Sequence, residues 1–112
     1  MRTRATYRSR IFERHHFDLR VKVLVQRNGR AEIVHGRTRD LSFSGIGVTL
    51  VRELAQGTPC LLVIKFPKVD LEVQFPALVV QGHGSRFGMH FQRLSGEQRL
   101  LIQKICKALP LA

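Results

Sequence analysis

From Leu19 onward the chain alternates between apolar and polar positions. Leu19, Val21, Val23 and Val25 are interleaved with Arg20, Lys22, Leu24 and Gln26, the period of two that a half-buried strand requires. Asn28-Gly29 follows, a pair suited to a two-residue hairpin because both central positions of that turn need positive φ. A return strand is expected over about Ala31–Arg39, then a turn from Asp40 to Gly45. Ile46, Val48 and Leu50 resume the alternation, and Gly57-Thr58-Pro59 interrupts it. Cys60–Phe66 reads as a buried strand and Pro67 to Asp70 as a turn. Leu71, Val73 and Phe75 alternate again, and the strand can run on to Val80, with Pro76 marking an edge or a bulge. Gly82-His83-Gly84 is a further hairpin loop, and Phe87–Phe91 is the sixth strand.

The last segment changes period. Ser95 can cap a helix, with Gln98 completing a capping box. Leu101, Ile102, Ile105, Cys106 and Leu109 recur at three- and four-residue spacings, and Pro110 stops the helix. Residues 1–18 show no sustained period. The expected organisation is a flexible basic arm over residues 1–18, and a domain over residues 19–112. That domain is mainly β: a six-stranded antiparallel β-barrel with one C-terminal α-helix. Closure removes the exposed edges that an open six-stranded sheet would leave.

Composition narrows the class. One domain is expected from 112 residues, and a hydrophobic fraction of 44% is that of a globular chain. No apolar run reaches the ~18 residues of a membrane span, so no membrane insertion is expected. The Arg-rich start has no apolar segment behind it and does not read as a secretory signal. Cys60 and Cys106 lack metal or ladder spacing and read as buried thiols in a reducing, cytoplasmic setting.

The charge is uneven. The net charge is +11, and residues 1–30 carry nine Arg or Lys against two acids, Glu13 and Asp18. Most of these cations are arginines, whose planar fork suits phosphate and the O6/N7 edge of guanine. An arm of this kind either stays solvated or binds an anion such as a nucleotide or nucleic acid.

Two short motifs flank the first strands. Arg10-Ile11-Phe12-Glu13-Arg14 is an RxxxR ahead of the first strand. Asp40-Leu41-Ser42-Phe43-Ser44-Gly45 is a DxSxxG between the second and third. Either alone fits ordinary structure, since Asp, Ser and Gly are common turn residues. In this order and strand context, together with the Phe87-Gly88-Met89-His90-Phe91 strand before the helix, the chain resembles the PilZ family, bacterial receptor domains for cyclic di-GMP. The resemblance implies a barrel that binds this dinucleotide without turning it over. It implies ligand-binding roles for Arg10, Arg14, Asp40, Ser42 and Gly45, with no catalytic or metal-binding residue. Many members carry an arginine directly before the RxxxR; here Ser9 intervenes, and Arg8 stands one position further back.

The side-chain chemistry is consistent with that role. An ionised Asp40 can accept from N1–H and N2–H₂ of guanine, donors that adenine lacks on that edge. Arginines can fork onto phosphate or guanine. Ser42 can add a hydroxyl contact, and Gly45 can allow positive φ or a close backbone approach. The expected mechanism is that ligand phosphates relieve repulsion within the arm and pin it to the barrel, presenting a new surface to an unidentified downstream protein. If these 112 residues are the full-length protein, that action is expected in trans.

Other readings are weaker. His15, His16, His35, His83 and His90 have no metal-ligand spacing, and no histidine is placed as a base for Ser42. A basic OB-like barrel binding single-stranded nucleic acid would need stacking rings. The seven Phe and one Tyr fall mostly at expected core positions, Phe43 and Phe87 among them, so neither DNA nor RNA is expected. A ligand-independent protein-interaction module is the remaining alternative.

Overall fold

The computed structural model describes residues 13–68 and 70–112. Alternation produces strands where it was expected: β2 (Arg20–Arg27), β3 (Arg30–Leu41), β4 (Gly45–Leu50), β5 (Pro59–Phe66), β6 (Leu71–His83) and β7 (Arg86–Phe91). All neighbours are antiparallel, in the order β3-β2-β5-β6-β7-β4, and a β3–β4 pairing closes the ring. This is the closed six-stranded barrel. Asn28 and Gly29 take φ values of 53° and 75°, as their hairpin demands. Pro76 sits where the β6–β7 ladder stops, at Ala77, so its missing N–H breaks nothing on that side.

Inward side chains fill the barrel. Val23, Val48, Leu62 and Ile64 are fully buried, with Phe75 and Phe87 the largest buried side chains. The helix α1 (Gly96–Ala108) closes one side through Ile102 and Cys106. Its start carries the capping box: the Ser95 hydroxyl accepts from Gln98 N at 3.1 Å, and Gln98 Oε1 accepts from Ser95 N at 2.8 Å. Gln98 Nε2 also donates to Gln74 O at 2.7 Å, tying the helix to β6.

The division at residue 18 is not a break in the sheet. A two-residue strand, β1 (His15–His16), pairs with β3, and Phe17 enters the core. Between β1 and β2 three residues, 17–19, face two on β3. Thr38 stitches the mismatch. Its buried hydroxyl accepts from Leu19 N at 2.8 Å and donates to Phe17 O. Beyond the helix, the tail folds back on β1. Pro110 O accepts from His16 N, and Ala112 N donates to Arg14 O, each at 2.9 Å.

Candidate functional site

Strand alternation would turn Thr38 inward, Arg39 outward, Asp40 inward and Leu41 outward. The observed order differs: Thr38 and Leu41 are buried, while Arg39 and Asp40 are both partly exposed. A β-bulge makes the difference. Thr38 faces Val48 and Asp40 faces Gly47, so β3 spends one more residue than β4 over this interval. Bulges re-aim side chains in this way. Asp40, expected in a turn, therefore lies inside β3 with its carboxylate on the outer face.

A second bulge faces the first across the sheet. On β6, Val79 pairs with Met89 and Gln81 with Gly88. The registers then line up one row across four strands: Asp40 on β3, Gly47 on β4, Gly88 on β7 and Gln81 on β6. Two polar side chains stand at the ends of this row and reach over the glycine floor between them, Asp40 over Gly47 and Gln81 over Gly88. A side chain on Gly47 would displace the charged groups above it. A Cβ there would lie 2.8 Å from Asp40 Oδ1 and 3.0 Å from an Arg39 guanidinium nitrogen.

Arg14 reaches the same place from the side. β1 pairs His16 with Asp40, and Arg14 is two residues back on the same face of the extended chain. Its guanidinium donates to Asp40 Oδ1 at 3.3 Å. Arg39 flanks the other carboxylate oxygen at 3.7 Å. The Arg14 side chain is 58% exposed, whereas that of Asp40 is 15% exposed. An arginine held this openly, at 3.3 Å, is free to turn toward a ligand.

The loop after β3 is built on Ser42. Its hydroxyl accepts from Gly45 N at 3.2 Å and Ser44 N at 3.3 Å, and its backbone N–H donates to Gly45 O at 2.9 Å. The hydroxyl is thus occupied within its own turn, although Ser42 lines the cleft. Gly45 takes the close-approach role rather than positive φ. A Cβ on it would stand 2.3 Å from Met89 O, so it is neighbouring strand β7 that requires the glycine. Phe87 is buried as expected, but Phe43, also expected in the core, is 44% exposed because Ser42 turns inward beside it.

These residues surround an open cleft of about 510 Å³, lined by Arg14, Asp40, Ser42, Ser44 and Gly45 together with Gln81, Gly88, Met89 and His90. Of the residues expected from sequence, Arg14, Asp40, Ser42 and Gly45 converge here. Arg8 and Arg10 lie outside the described residues. Arg39, Gly47, Gln81, Gly88 and His90 were not anticipated. Gly45 and Gly47 at alternate positions of one strand are the sequence signal for a bare outer face, since glycine inside a strand marks close approach. Among the described residues no helix is long and apolar enough to cross a membrane, and no three His, Cys, Asp or Glu residues are grouped as metal ligands.

Comparison with known proteins agrees with this fold. The chain is similar to the PilZ domain of CeSA from a cellulose-synthesizing bacterium, at 22% identity and a TM-score of 0.66 over 85% of this chain and 95% of that one. It is similar also to the PilZ domain of YcgR from Escherichia coli, solved with c-di-GMP, at 16% identity and a TM-score of 0.71 over 88% of each chain. No curated protein matches the sequence. The PilZ domain family matches residues 3–108, nearly the whole chain, and the protein belongs to that family.

Proposed function

We propose that the protein is a cyclic di-GMP receptor that binds the dinucleotide in the Asp40 cleft without chemical turnover. The observation that carries this reading is the outward carboxylate of Asp40, turned by a bulge into the wall of the cleft between the Arg14 and Arg39 guanidinium groups. A guanine lying in the cleft beside Gly88 would present N1–H and N2–H₂ to that carboxylate. Arg14 would exchange its exposed ion pair for phosphate or the guanine O6/N7 edge. The bound ligand of the YcgR domain supports the same choice of dinucleotide.

In this proposal Arg10 supplies the second arginine of the RxxxR, and Ser42 and Gly45 act by shaping the turn beneath the ligand. Gathering the leader onto the ligand would alter the surface that a downstream protein meets, so the signal passes by contact. The two buried free cysteines suit a reducing compartment and support a cytoplasmic site of action.

Calorimetric titration with cyclic di-GMP, with cyclic di-AMP as control, tests the reading. One guanine-reading contact is worth roughly 1–3 kcal/mol, so Asp40→Ala should weaken binding about 5- to 100-fold, and Arg14→Ala should act in the same direction. Equal affinity for the two dinucleotides, or none for either, would sink it.

A further inference from the structure

We propose that the cleft continues past the glycine floor into a cationic lobe formed by Arg39 and Arg86 beside His83, and that this lobe takes a phosphodiester of the bound dinucleotide. The inference rests on the cyclic di-GMP reading above and assigns residues outside both sequence motifs.

Two concavities meet on this face. The Asp40 cleft of about 510 Å³ and a neighbouring one of about 330 Å³ share Arg14, Gln81 and Gly88 in their walls. The second is lined also by Arg39, His83 and Arg86. Register explains why these side chains collect there. On β7, Arg86 is two residues from Gly88 and so points to the same outer face, about 7 Å along the strand. Arg86 pairs with Thr49 on β4 and with His83 on β6. A second row thus runs beside the glycine row, and it carries cations where the first carries a carboxylate.

Arg39 is held over the junction between the rows. The β3 bulge turns it outward. Its Nε donates to Val48 O at 3.4 Å and a terminal nitrogen donates to Phe87 O at 3.5 Å, so the guanidinium lies across β4 toward β7. Arg86 is exposed and makes no ion pair among the described residues. The face is therefore polar along its length, with an acceptor for a base edge at one end and, at the other, Arg86 without a counterion beside Arg39, whose only acidic partner among the described residues is Asp40 at 3.7 Å. A guanine nucleotide has the complementary order, donors on its base edge and a negative phosphodiester beyond its sugar. Guanidinium groups fork onto phosphate oxygens, and a guanidinium without a counterion, as Arg86 is here, attracts an anion.

The test is titration of the full chain with cyclic di-GMP at several salt concentrations. The wild type, Arg86→Ala and Lys65→Ala would be compared, each with a thermal melt. Lys65 lies on β5, where it pairs with Asp70 away from the cleft. Loss of one charged contact should weaken Arg86→Ala about five- to tenfold at low salt and flatten its salt dependence, because screening acts on the lost contact. Its melting temperature and the affinity of Lys65→Ala should stay at wild-type values. If Arg86→Ala binds as tightly as wild type with the same salt dependence, the lobe is refuted while the receptor reading stands. If wild type binds no cyclic di-GMP, the receptor reading fails and takes the lobe with it.

Discussion

The two sides of the barrel are built differently. Where β2 meets β5, and β5 meets β6, the registers run without a break, from Val21 opposite Ile64 to Leu24 opposite Leu61, and from Pro59 opposite Leu78 to Phe66 opposite Leu71. Branched aliphatic side chains fill that side, as pleated packing favours. Where β3 meets β4, and β6 meets β7, each ladder slips by one residue, and glycines replace the side chains between the two slips. The regular side supplies buried apolar area. The irregular side gives up ladder and side chains so that charged groups can face outward over a floor of glycines. Stability and binding should therefore be separable by mutation.

The largest expected effect lies on the regular side. Leu62 is fully buried, so Leu62→Ala should cost about 2–5 kcal/mol of stability, read as a lower urea midpoint. The protein that remains folded should bind cyclic di-GMP at wild-type affinity. An affinity loss as large as the stability loss would show that the two sides are not separable.

Two glycines on β4 sharpen the contrast within the irregular side. Gly45→Ala would drive a methyl into the Met89 backbone carbonyl, so β4 and β7 must part, and a loss of about 1–3 kcal/mol in chemical unfolding is expected. Gly47→Ala meets only the ends of the Asp40 and Arg39 side chains, which can swing aside. Its melting point should barely move, while cyclic di-GMP affinity falls about tenfold as Asp40 loses its place. A Gly47→Ala protein that binds normally would show that the carboxylate position is not what the ligand reads.

The contrast also marks what could be read from the chain. Alternation is a local signal, and it located the six long strands, the Asn28-Gly29 hairpin and the Ser95 cap with nearly correct bounds. The site is where the rule is suspended. A bulge has no period of its own, so Asp40 read as a turn residue, although its pairing with Gly47 and His16 makes it part of a strand. β1 is too short for any period, and it exists because Phe17 is buried and Thr38 stitches the mismatch beside it. Gln81 and Gly88 reach Asp40 only through a register that spans four strands. No window along the sequence contains that information. The motif residues were visible because they are close together in sequence, and the row they belong to was not.

A last prediction concerns the contacts that join the two sides. Cys60 is on the regular side, but its thiol donates to Met89 Sδ on β7 at 3.7 Å, and Cys106 seats the helix on the same core. Burial pushes both thiols up from 9.0 to about 11, because the interior disfavours thiolate. In the folded protein they should therefore resist alkylation at pH 8, whereas the urea-unfolded chain should react readily. The same shift gives a sign for stability. Between pH 9 and about 11 the unfolded chain has released these protons and the folded chain has not. The unfolded state then binds fewer protons, so stability is fully present below pH 9 and declines as pH rises through that window. Other groups titrate there too, and the comparison that isolates the thiols is wild type against a Cys60→Ala, Cys106→Ala double variant. The variant should be less stable at pH 8 but lose less between pH 8 and pH 11. Parallel pH profiles for the two proteins would mean that the thiols ionise alike in both states, and that the core where the two sides meet is open to water.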